Sequence, residues 1–204
     1  MKQFSDHLSL TISAIIFPVL FSLAGFNSVH GQMNYAANGS VKTTVQGTSN
    51  IHDWEMSSAK GSFTAQLTMD AAGDLTGIGN VSFSMPVNTL KSSHGNQMDN
   101  NAYKAMNAEK FPMIRFNGNG GTVRSTGSGN YSLTVPGKLS ISSGSKDVTL
   151  TASCKINADK SVVIDGSYRL NTRDYNVPPI SIMLGAIKTG ENVTIKYNLA
   201  ARQQ

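Results

Sequence analysis

From Gly39 onward, apolar residues recur at every second position, the signature of strands that bury one face and wet the other. Val41 and Val45 flank Thr43; Phe63, Ala65, Leu67 and Met69 then alternate with polar residues, and Val81, Phe83, Met85 and Val87 repeat the pattern. Tyr131, Leu133 and Val135 follow, with Leu139 and Ile141, and then Val148, Leu150, Ala152, Cys154 and Ile156. The last runs are Val162, Ile164, Tyr168 and Leu170, and Val193, Ile195, Tyr197 and Leu199. With Ile114 to Asn117 added, the spacing predicts about eight or nine strands. Turn chemistry divides them: Asp70-Ala71-Ala72-Gly73-Asp74, Asn117-Gly118-Asn119-Gly120-Gly121, Ser142-Ser143-Gly144-Ser145 and Asn157-Ala158-Asp159-Lys160. Short connections imply antiparallel neighbours, and this many one-sided strands predict an all-β sandwich or closed barrel.

The period breaks between Asn88 and Phe111, where Met98, Ala102, Tyr103, Ala105 and Met106 are spaced for one or two short helices. Asn100 or Asp99 would cap such a helix, and Pro112 would end the segment before the next strand. An insertion of this kind in a tight meander is expected to cover a barrel mouth or form a lid. The N-terminus reads differently again. Lys2 precedes an apolar run from Leu8 to Phe26, and Val29-His30-Gly31 fits a signal peptidase site. Residues 1–31 are therefore expected to be a signal peptide and residues 32–204 a single domain in the periplasm or outside the cell. The competing reading is an uncleaved anchor; with cleavage, no stable membrane span remains.

Composition narrows the function. Charged residues make up 14% of the 204, against roughly a quarter in ordinary globular chains, while 39% apolar residues suffice for a core. The small polar residues, 25 Ser, 16 Thr, 18 Asn and 19 Gly, suit strands and turns with a neutral exterior. The net charge of +5 is scattered singly, without the basic stripe of a nucleic-acid interface. Gly-x-Ser-x-Gly is absent, and Asn117–Gly121 lacks the Lys-Ser/Thr and helix of a phosphate loop, so it reads as a hairpin turn. His52-Asp53-Trp54 sets imidazole beside carboxylate, yet a metal site needs three or four ligands and the only other histidine after residue 31 is His94. The triplet reads as a structural corner, with Trp54 plugging one barrel end and Asp53 accepting local hydrogen bonds. Cys154, the single cysteine, is in phase with the apolar face and reads as a buried hydrophobe. No enzyme activity, metal or cofactor is expected.

The stretch from Met98 to Phe116, ending Phe111-Pro112-Met113-Ile114-Arg115-Phe116, resembles the segment of the YceI-like family in which a short helix leads into an aromatic-Pro-x-Ile-x-Phe strand. Gly137-Lys138-Leu139-Ser140-Ile141 with Lys146-Asp147-Val148-Thr149-Leu150 is similar to that family's strand, turn and strand. Arg173-Asp174-Tyr175 followed by Val193-Thr194-Ile195 is similar to its C-terminal end. The resemblance implies an antiparallel, eight-stranded lipocalin-like barrel with a short helical insertion near residues 90–110. It also implies an apolar lumen holding a polyisoprenoid or another long-chain amphiphile in the periplasm.

A barrel of eight strands is just wide enough to be filled by side chains or to hold one slim ligand. The lumen candidates are Phe63, Leu67, Phe83, Met85, Met106 and Phe111, together with Phe116, Leu133, Val135, Leu150 and Tyr168; each is equally a candidate for plain core. Lys91, Lys104 and Lys110 flank the helical insert and are the candidates for contact with an anionic head group. A lipid or isoprenoid ligand is the expected partner, and unpaired strand edges leave a homodimer open. The competing function is an envelope protein with a packed barrel that works through its outer surface.

Overall fold

The computed structural model describes residues 31–204. Of the expected signal peptide, only Gly31 lies within the described residues, where it opens the first strand. Eight long strands follow: β1 Gly31–Ser49, β2 Trp54–Met69, β3 Leu75–Pro86, β4 Met113–Gly127, β5 Asn130–Ile141, β6 Gly144–Ile156, β7 Val162–Asn171 and β8 Ile187–Gln203. Each pairs antiparallel with its sequence neighbours, and β8 closes on β1 with Ile195 opposite Val45. The result is a closed up-and-down barrel of eight strands, as the alternation and the family resemblance imply. Two-residue strands add to its helical end: Lys91–Ser92 pairs with β2, and Ser181–Ile182 pairs with the start of β8.

Alternation places one residue in two inside the barrel, but the inside is not uniform. At the end formed by the start of β1, Tyr35, Leu67, Tyr131, Cys154, Val162 and Ala201 are all at most 3% exposed and form a packed floor. The Tyr131 hydroxyl donates to the Asp74 carboxylate at 2.8 Å and accepts from the Leu75 N–H, so the floor is sealed by satisfied polar contacts.

One ladder is short. β6 and β7 pair only from Ala152 to Ile156, opposite Val162 to Gly166; toward the helical end no further rungs join Thr151 to Ser167 or Leu150 to Tyr168. The Tyr197 hydroxyl donates to the Thr151 carbonyl at 2.9 Å, satisfying one acceptor that the stopped ladder leaves over.

Two local expectations are corrected. The helix α1 spans Asn96–Ala105 and starts from Gly95, not from Asp99 or Asn100. Gly95 takes φ 88°, which turns the chain into the helix, while Asp99 is buried and committed backwards: it accepts from the Ser92 N–H at 2.7 Å and pairs with Lys91 at 3.2 Å. The second correction concerns Asn117–Gly121, which is not a turn. It lies inside β4, and the hairpin comes later, around Ser128 and Gly129. The glycines answer a different need, because β4 and β5 shift register between Asn117 and Thr122, and a side chain at Gly118 or Gly121 would strike β5.

Candidate functional site

Above the floor the barrel is not filled. A first chamber is walled by Phe63, Phe83, Met85, Phe116, Leu133 and Val135 on one side and by Leu150, Ile164, Tyr168, Ile195, Tyr197 and Leu199 on the other. Its cavity volume is about 110 Å³. A slot that narrow suits a slim chain. Thr43, on β1 between Val41 and Val45, is the one lining residue apart from the two tyrosines with a polar side chain.

A second chamber, with a cavity volume of about 100 Å³, lies toward the helical end. Trp54, Met56 and Leu90 line it with Ala102 and Ala105 of α1 and Met106 just after it, and its cover is Tyr175 with Val177-Pro178-Pro179-Ile180. Val45, Ile114 and Ile195 line both chambers and form the waist between them. Trp54, Ile180 and Thr189 in turn line both the second chamber and an outer groove with Ile51, His52, His94 and Met98. Shared lining residues thus set the two chambers and the outer groove in series from the sealed floor to the surface beside the helix. No charged side chain lines either chamber.

The rim is organised by three segments. In the β1–β2 turn, Asn50 ties across by donating to the Ala186 carbonyl at 2.8 Å and accepting from the Lys188 N–H at 2.9 Å. His52 stacks on His94 from the loop before α1, with ring centroids 4.9 Å apart, and Trp54 donates to the Thr48 carbonyl. The large exposed hydrophobic residues among those described are Ile51, Met183 and Leu184, all on these rim segments.

The sequence-derived candidates fall into three groups. Phe63, Phe83, Met85, Phe116, Leu133, Val135, Leu150 and Tyr168 face the first chamber, and Met106 faces the second. Leu67 is buried in the floor, and Phe111 is half-buried beside the Lys110 ammonium, 5.6 Å from its ring; neither lines a chamber. Lys91, Lys104 and Lys110 are exposed outside both chambers, with Lys91 held by Asp99 and set 5.3 Å from the Tyr103 ring. Val41, Val45, Val81, Ile114, Leu139, Ile164, Ile195 and Leu199 also line the first chamber and were legible from the same period-two phase, whereas Ile78 lies three residues before Val81, out of that phase, where the β2–β3 pairing shifts register. The cover over residues 172–180 had no such periodic signal; its marks in the sequence are the family-like Arg173-Asp174-Tyr175 and the Pro pair.

Asp53 accepts through its backbone carbonyl, from the His52 ring at 2.7 Å, rather than through its carboxylate. Among the described residues no three His, Cys, Asp or Glu side chains gather as metal ligands, and no helix is long and apolar enough to cross a membrane. Burial pushes the Tyr175 and Tyr197 hydroxyls up to about 12 and the Cys154 thiol from 9.0 to about 11. All three are neutral at physiological pH, so Cys154 is a packed apolar group. The raised thiol value gives a pH dependence. The folded chain keeps a proton that the unfolded chain releases, so stability is full below pH 9 and falls as pH rises from about 9 through 11. Melting temperatures measured across that range are expected to decline; a flat profile would contradict the assignment. Alkylating reagents are likewise expected to spare Cys154 until the barrel unfolds.

Floor, chambers and rim together define a lipocalin-like barrel with an apolar interior reached from one end. The chain belongs to the YceI-like domain family, whose model matches residues 20–201. Among solved structures it is similar to a polyisoprenoid binding domain from Saccharophagus degradans implicated in plant cell wall breakdown. The TM-score is 0.62 at 8% identity, over 85% of this chain and 100% of that one. It is also similar to BcnA from Burkholderia cenocepacia, with a TM-score of 0.56 at 21% identity, over 79% of this chain and 96% of that one. At these identities the likeness is one of fold. No curated protein matches the chain.

Proposed function

We propose that this protein is an exported, non-enzymatic binding protein that holds one long-chain amphiphile, polyisoprenoid or fatty, for transport, storage or sequestration. The observation that carries this reading is the pair of adjoining apolar chambers inside the barrel with no charged lining. Burial of a tail there supplies affinity at about 25 cal/mol per Å², with few polar contacts needed. The head group stays near the rim, where Lys91, Lys104 and Lys110 flank the insert. The polyisoprenoid-binding description of the Saccharophagus domain, which shares this fold, supports the ligand class. The apolar run at the N-terminus supports export to the periplasm or beyond.

The competing reading, a packed barrel acting only through its surface, gains from exposed Ile51, Met183 and Leu184 but does not account for the open chambers. Native mass spectrometry with organic extraction, on mature protein from its host, separates the two. A stoichiometric long-chain adduct is expected. A clean apo mass that persists after incubation with isoprenoid and fatty-acid mixtures would overturn the binding reading.

A further inference from the structure

Two buried side-chain polar atoms among the described residues have no hydrogen-bond partner, the Thr43 and Thr172 hydroxyls. Both belong to the lumen. Thr43 lines the first chamber and Thr172 the second, so each chamber holds one unsatisfied hydroxyl. Thr43 is 3% exposed and shares the inward phase of β1 with Val41 and Val45. A valine at either position would have the same shape without the cost of burying an unpaired hydroxyl. Neither threonine has a side-chain role within the fold that would explain it.

The other polar side chains of the first chamber are Tyr168 and Tyr197; the Tyr197 hydroxyl donates to the Thr151 carbonyl, and the fold pairs neither tyrosine with Thr43.

We propose that Thr43 and Thr172 are seats for hydrogen-bonding oxygens on the bound molecule, so that the ligand is an oxygenated chain. It carries a carbonyl, ester or hydroxyl group in the part enclosed by the barrel, in addition to any polar head at the rim. Val45 belongs to the waist and lies two residues from Thr43, so by strand rise the first seat sits roughly 7 Å below the junction of the chambers. The second lies beyond it. This inference rests on the lipid-binding reading and narrows the ligand class.

The test compares a saturated fatty acid with mid-chain keto analogues of the same length, by calorimetric titration of the mature protein and of Thr43→Val, Thr172→Val and Thr43→Ser. The quantity read is the ratio of the two dissociation constants, compared between proteins so that the cost of desolvating the ketone cancels. At least one keto position is expected to show a ratio that shifts about tenfold against the ketone in Thr43→Val or Thr172→Val. Thr43→Ser keeps the hydroxyl and is expected to retain the wild-type ratio. Without ligand, Thr43→Val is expected to melt no lower than wild type, because no partner is lost. If both acids bind and the ratios are the same in all four proteins, the seats do not exist while the lipid-binding reading stands. If neither acid binds and no extracted lipid does, that reading itself fails.

Discussion

Val81→Trp is expected to weaken tail binding about a hundredfold while leaving the barrel folded. Val81 lies on β3 facing the first chamber, with Gly118 as its partner across the ladder and Val135 and Phe116 packed over that glycine. An indole at Val81 therefore extends into the chamber, where its overpacking penalty is smaller than in a filled core. Displacing roughly 100 Å² of buried tail, at about 25 cal/mol per Å², removes about 2.5 kcal/mol, close to a hundredfold in affinity. Titration with an extracted or synthetic long-chain ligand, set beside a thermal melt, checks both halves. Unchanged affinity in a folded variant would show that the first chamber does not receive the tail.

Gly144→Ala is expected to be among the most damaging single substitutions in the chain. Gly144 opens β6 directly against the backbone of Tyr175, and a methyl group there would overlap the Tyr175 main chain. A rigid backbone neighbour cannot rotate away as a side-chain end would. Tyr175 is 2% exposed and anchors the segment that covers the second chamber, with Asn176 donating to the Ser143 hydroxyl at 3.1 Å. Separating the two segments is expected to cost about 2–4 kcal/mol, a melting decrease of roughly 5–15 °C for a domain of this size. Limited proteolysis is expected to cut within residues 172–189 first. A variant that melts within a degree or two of wild type would show that the cover can shift without loss.

The strands were legible because a strand buried on one face must alternate, and Phe63–Met69, Tyr131–Ile141 and Val193–Leu199 do so without interruption. Asn117–Gly121 misled because glycine serves two needs that look alike in sequence. It permits a turn, and it also permits close approach of two strands at a register shift, which is its use beside β5. Asp99 misled in a related way. A carboxylate near a helix start usually caps it, whereas here its hydrogen bonds go back to Ser92 and Lys91.

Sequence alone determined that this is an all-β chain with one face of each strand inward and that a helical insert interrupts it. Those properties are local, set by period, turn chemistry and residue type. The tertiary structure alone decided which inward residues pack and which line space. Leu67 and Leu133 alternate identically, yet one fills the floor and the other faces a chamber. Sequence phase fixes the face a residue points to, but not its height along the barrel axis. That height depends on the stagger between neighbouring strands, on the ladder that stops after Ala152, and on where the 172–180 segment comes to rest. Thr43 shows the same division: its phase is plain in the sequence, and its lack of a partner exists only in the closed barrel.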